Sequence, residues 1–167
     1  MKIVDSPNQD ERPADTEISL VVLHSISLPP GEYGGDAIER LFTNCLDPQA
    51  HPYFREICGL KVSAHFLVRR DGSVIQFVPP ERRAWHAGVS SWRGRERCND
   101  FSIGIELEGA EDEAFSDLQY ESLIVLMRDL QSRLPIRDIA AHSDVAPGRK
   151  TDPGARFEWA RLLAALA

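Results

Sequence analysis

Between Ile18 and His24 the chain reads ISLVVLH, a continuous apolar run rich in strand-forming residues with no alternation of polar and apolar positions. A strand of that composition is covered on both faces, which puts it in the middle of a sheet. It ends at a histidine. IRDIAAH (136–142) is a second short strand ending at a histidine. FSIGIELEG (101–109) alternates, so as a strand it sends Glu106 to one face and Ile105 and Leu107 to the other. KVSAHFLVRR, DG and SVIQFV read as a hairpin closed by a two-residue turn at Asp71-Gly72.

Helical signals alternate with these strands. Asp36, with Glu39 three places on and Ile38, Leu41 and Phe42 behind it, has the capping-box pattern of a short helix. Ser116 and Gln119 open a longer one whose Leu123, Leu126, Met127, Leu130 and Leu134 form a stripe, and Pro135 stops it. An Ala/Leu-rich helix follows from about Gly154. Segments 25–35, 46–59 and 79–100 are loops by their Pro, Gly and polar content, and 1–17 is a polar, partly ordered lead-in. The fold class is therefore α/β, a single mixed central β-sheet with helices packed on it. One domain over 1–167, with its core in 18–167, suits the length, since about 150 residues bury roughly 68–70% of their unfolded surface.

A net charge of −7 argues against a nucleic-acid partner, which would need a basic face. Three cysteines, Cys45, Cys58 and Cys98, without a C-x-x-C pair read as reduced thiols and not as a disulfide framework or zinc ribbon. MKIVDSPNQDERPADTE contains neither the apolar core of a signal peptide nor a membrane span. The expected location is cytoplasmic, without membrane attachment.

The chemistry concentrates in HSDVAPGRKTDPG (142–154), where His142 is followed ten residues later by Asp152 on a loop stiffened by Pro147 and Pro153. Catalytic zinc takes three N, O or S ligands and leaves a fourth position open. His24, His142 and Asp152 make such a set, with a net charge of about +1 when Zn²⁺ is bound, and lower the pKa of bound water from 15.7 towards roughly 7. Glu106, mid-strand among apolar residues, suits a general base because burial raises a carboxyl pKa. Lys150, two residues from Asp152, can stabilise an oxyanion. Taken singly, each histidine is equally a surface or core residue, and Glu106 equally a buried ion-pair partner.

Four stretches carry a resemblance: VVLHSISLPPGEYGG, KVSAHFLVRRDGSVIQFVPPERRAWHAGVS, GRERCNDFSIGIELEG and AHSDVAPGRKTDPG. In register from about Ile18 to Trp159, they resemble the AmpD-type zinc amidases of Gram-negative bacteria, which share a fold with phage amidase lysozymes and peptidoglycan-recognition proteins. The resemblance implies that His24, His142 and Asp152 bind Zn²⁺ at strand ends, with Glu106 as proton acceptor and Lys150 as transition-state stabiliser. It implies a monomeric hydrolase that cleaves the lactyl–L-Ala amide of 1,6-anhydro-N-acetylmuramyl peptides in cytoplasmic peptidoglycan recycling. Phage enzymes and recognition proteins carry Cys where this chain has Asp152, and recognition proteins that have lost catalysis typically lack it, so an inactive binding module is disfavoured. The pattern departs at two cleft positions, with Lys61 in place of Arg and Ser25 in place of Asn. Lys keeps the charge but not the planar grip on carboxylate.

Other residues carry two readings each. Arg97 is a fork for a substrate carboxylate or a solvated loop cation. Trp85 is a wall for the anhydro sugar or a core anchor. His65 lines the cleft or serves structure, and His86 hydrogen-bonds near the metal without ligating it. His51 and Trp92 read as incidental, and Arg69-Arg70 as a solvated hairpin tip.

Overall fold

The computed structural model describes residues 1–167. Its first elements are strands β1 (Lys2–Ile3), β2 (Gln9–Asp10) and β3 (Leu20–Ile26), then helices α1 (Ala37–Phe42) and α2 (Pro52–Ile57). Strands β4 (Phe66–Val68), β5 (Val74–Gln76), β6 (Arg83–Ala84), β7 (Ser91–Trp92) and β8 (Arg95–Glu96) follow, with a 3₁₀ turn at Cys98–Asp100. The chain closes with β9 (Ser102–Glu108), α3 (Asp117–Arg133), β10 (Asp138–Ala141), the single turn α4 (His142–Val145) and α5 (Trp159–Leu166). Six strands form one mixed sheet in the order β1-β5-β4-β9-β3-β10, the expected architecture. Only the β4–β5 hairpin is antiparallel within it.

The central strands are covered on both faces because their side chains are apolar or hydrogen-bonded on both. Val21 and Leu23 of β3, and Ile103, Ile105 and Leu107 of β9, pack against Leu123, Leu126, Met127 and Leu130 of α3. Each such buried side chain contributes about 1.5–3 kcal/mol relative to exposure. The α3 start is fixed as expected, with Ser116 Oγ accepting from Gln119 N and Gln119 Oε1 accepting from Ser116 N. This cap contributes about 1 kcal/mol. Gln119 also donates to the Val68 and Glu108 carbonyls, which locks the helix to the sheet.

Several local expectations are corrected. β9 alternates as expected, but all seven residues are buried, with His86 lying over Gly104 and Arg69 over Glu108 on the face of Glu106. β3 runs two residues past His24, held by pairing of Ser25 and Ile26 with β9. His142 is the first residue of α4, not the last of a strand. Asp36 occupies the N-cap position without capping; its carboxylate binds Arg40, while Glu39 pairs with Lys2 and Arg69, so charge pairing displaces the capping box. His51 is not incidental, because its Nδ1 accepts from Tyr53 N and caps α2 within the expected loop. The hairpin turn has three residues, Arg70-Asp71-Gly72, between the Arg69 and Ser73 pair, and Gly72 takes the left-handed conformation (φ +80°) such turns need. Arg69 is not solvated but pairs with buried Glu108, and Arg70 lies over the Tyr33 ring. α5 starts at Trp159 because Phe157 must first enter the core beside Phe115 and Tyr120.

The N-terminal segment is no loose lead-in. β1 pairs with β5 and β2 with β6, and Ser6 and Asn8 are buried. Arg12 donates to the carbonyls of Pro80, Asn99, Asp100 and Ser102 at 2.9–3.2 Å. Its guanidinium is desolvated enough to bring its pKa down to about 10, with Arg83 adding to the effect. Leaving a buried acceptor unsatisfied costs about 1–3 kcal/mol. Arg12→Met is therefore expected to destabilise the fold by about 3 kcal/mol or more in urea unfolding. A loss under about 1 kcal/mol would show that these carbonyls find water instead.

Candidate metal centre

Strand register places the reactive side chains. His24 of β3 is the direct partner of Glu106 of β9, and Ala141 of β10 is level with Leu23, so His142 falls level with His24. Three neighbouring parallel strands thus bring Glu106, His24 and, one residue past β10, His142 into one row at their C-terminal ends, where α/β sheets hold ligands. Asp152 arrives from the loop after α4, whose return is pinned by Ser143 N donating to the Asp152 carbonyl.

The ligand atoms converge. His24 Nδ1 lies 2.9 Å from His142 Nδ1 and 3.3 Å from Asp152 Oδ2, and His142 Nδ1 lies 3.1 Å from the same oxygen. Zinc with bonds of about 2.0–2.1 Å keeps tetrahedral neighbours roughly 3.3 Å apart, so the three atoms fit one such ion. Both imidazoles are buried. Burial lowers the His24 pKa to about 4, against the pull of Asp152, so the ring is neutral and able to ligate. Burial alone would protonate Asp152, but its close contacts with the His142 and His24 rings outweigh burial and hold it well below the usual carboxylate range.

Glu106 faces the same space. It is 8% exposed, and its Oε2 has no hydrogen-bond partner. Burial, helped by the Asp152 charge, raises its pKa well above the ordinary glutamate value, while Lys150 pulls the other way. A cleft of about 570 Å³ is lined by His24, Glu106, His142, Lys150 and Asp152 together with Tyr53, Ile57, Leu60 and Trp85. Lys150 makes no ion pair within the chain, which leaves its ammonium free for the cleft.

A family model described as N-acetylmuramoyl-L-alanine amidase matches residues 14–155. The chain belongs to this amidase family. The 1,6-anhydro-N-acetylmuramyl-L-alanine amidase AmpD of Escherichia coli K12 is 57% identical over 161 residues, covering 95% of this chain and 88% of that protein. A crystal structure of a selenomethionine AmpD derivative superposes with a TM-score of 0.95 at 55% identity, covering 98% of this chain and 93% of the other. The amidase AmiD of Escherichia coli, solved as a complex with the substrate anhydro-N-acetylmuramic acid-L-Ala-D-γ-Glu-L-Lys, superposes with a TM-score of 0.67 at 30% identity. That match covers 93% of this chain and 60% of AmiD.

In this amidase the other expected site residues divide. Ser25 and Trp85 line the cleft. Lys61 is exposed beside it, next to the lining residues Leu60 and Val62. Arg97 lies outside the lining, mostly exposed and paired with Asp100 at 3.3 Å. His65 is beneath the floor, fully buried, because its Nδ1 accepts from Gly104 N and its Nε2 donates to the Arg82 carbonyl. Trp92 donates its indole N–H to Asp138 and so ties the β7–β8 ribbon to β10. Sequence reasoning missed the apolar wall of Tyr53, Ile57 and Leu60, since α2 carried no clear periodicity.

Proposed function

We propose that this chain is a zinc-dependent amidase that hydrolyses the lactyl–L-Ala amide of 1,6-anhydro-N-acetylmuramyl peptides. The observation that carries the reading is the three-atom triangle of His24 Nδ1, His142 Nδ1 and Asp152 Oδ2 with the unpartnered Glu106 carboxyl beside it. Zinc held there would polarise the scissile carbonyl and lower the pKa of water. The Glu106 carboxylate accepts a proton from the attacking water, made a stronger base by its buried setting. It then delivers that proton to the L-Ala nitrogen as the C–N bond breaks, leaving a lactyl carboxylate and a free peptide amine. Lys150 faces the negative charge that develops on the carbonyl oxygen. Trp85 and the α2 side chains offer apolar surface to the sugar, Ser25 in the cleft lining offers a hydroxyl to the peptide, and the exposed Lys61 beside the cleft offers it a cation.

A monomeric, cytoplasmic enzyme of muropeptide recycling is the setting this reading implies. No helix is long and apolar enough to cross a membrane. The AmpD and AmiD relatives support the anhydro-sugar substrate class. Mass spectrometry of the products tests the bond: the expected pair is anhydro-N-acetylmuramic acid and intact peptide, and cleavage within the peptide would refute the assignment. Lys150→Met is expected to keep the metal and lower kcat by about 10²–10³-fold, the effect of losing one oxyanion donor. An unchanged kcat would remove Lys150 from the transition state.

A further inference from the structure

We propose that His86 is a positioning residue that fixes which nitrogen of His24 is free to bind metal, through a directed relay ending at the Cys98 carbonyl. The inference rests on the zinc reading above and concerns groups outside the ligand set. The direction of the relay follows from a count of protons. A carbonyl oxygen can only accept, so Ser102 Oγ spends its single proton on Cys98 O at 2.6 Å. The His86 Nε2 at 3.1 Å from Ser102 Oγ must then carry the proton and donate it. His86 is buried and no carboxylate pairs with its ring, so the ring holds that one proton and no second. Its Nδ1 is therefore a bare acceptor. His24 Nε2, 2.9 Å away, donates to it. His24 Nδ1 is left as a lone pair aimed at His142 Nδ1 and Asp152 Oδ2.

His86 sits in a slot built for its ring. Gly104 forms the floor, and a Cβ there would come within 2.4 Å of His86 Cγ. Asn99 Oδ1 accepts from the backbone N–H groups of His86 and Ala87. The next carbonyl, Ala87 O, receives the Nε2 proton of His142 at 3.2 Å, and Arg149 binds the same oxygen. One dipeptide, His86-Ala87, thus sets the tautomer of both imidazole ligands. Outer partners of this kind typically change metal affinity by about 10–100-fold when lost.

The test compares wild type with His86→Phe, His86→Gln and Ser102→Ala. Zinc affinity is measured by chelator competition, and ring tautomers by ¹⁵N NMR. His86→Phe is expected to weaken zinc binding by roughly 10–100-fold, and His86→Gln, whose amide oxygen can accept from His24, to recover most of that loss. Ser102→Ala should weaken it less and let His86 populate both tautomers. In the wild type, the ¹⁵N shifts should show His86 protonated at Nε2 alone. Protonation at Nδ1, or zinc affinity unchanged in both His86→Phe and Ser102→Ala, would overturn the relay. Metal-free thermal midpoints separate loss of fold from loss of positioning, and Ser102→Ala, the smallest change, decides if His86→Phe does not fold. A wild type that takes up no zinc would refute the metal reading instead, and the His86 tautomer in the metal-free protein would still decide the relay.

Discussion

Asp152→Ala is expected to leave the protein folded but without zinc at equimolar metal. Removing the carboxylate takes away one of three converging atoms and the only anion among them, with two imidazoles remaining. The loss of affinity should exceed the roughly 10–100-fold that a supporting residue costs, since a ligand itself is gone. Turnover should vanish with the metal. Metal analysis after gel filtration checks this, and undiminished stoichiometry would remove Asp152 from the ligand set. The backbone around position 152 is held by its own hydrogen bonds, Ser143 N to Asp152 O among them, so the loop does not depend on the side chain.

Glu106→Gln is expected to separate function from stability. The amide fills the same volume but cannot take a proton from water, so kcat should fall by about 10²–10⁴-fold while zinc remains bound. Stability of the metal-free protein should move the other way. The folded-state pKa of Glu106 is raised, so the folded protein holds this proton more tightly than the unfolded chain does. Wild type therefore carries no penalty below the ordinary value of 4.5 and loses stability as pH rises from there through the raised pKa. Above that window the neutral Gln escapes the whole penalty. The variant should melt higher than wild type at neutral pH, by about 2–4 °C per kcal/mol recovered, and the gap should close on acidification. An equal or lower midpoint at neutral pH would show that Glu106 is not held at the cost of folding. Near-wild-type kcat would remove it as the base.

What could be read from sequence and what could not divide along physical lines. His24 and His142 end runs that read as strands, and Glu106 lies in an alternating one, so apolar composition and pattern put each at a sheet position. The sheet then aligned them, because parallel register sets positions 24, 106 and 142 level. The N-terminal segment was misread because its order comes from Ser6, Asn8 and Arg12 bonding to distant carbonyls, and side chain-to-backbone bonds leave no period. β6, β7 and β8 are two residues each, too short to show alternation. The His86 relay was beyond sequence for another reason. It needs the missing Cβ of Gly104 and the hydroxyl of Ser102 on β9 beneath a ring from a loop, a contact only the folded sheet creates. The one trace of it in FSIGIELEG is parity, since Ser102 and Gly104 share the face of Glu106.

The central claim is a zinc-dependent cleavage of one amide bond, and one measurement meets it directly. Purified protein is incubated with 1,6-anhydro-N-acetylmuramyl tripeptide as isolated, after chelation, and after return of one equivalent of zinc. Release of free tripeptide that stops on chelation and resumes with zinc is the predicted result. Cleavage that persists without metal, or no cleavage with one zinc bound per chain, would contradict it.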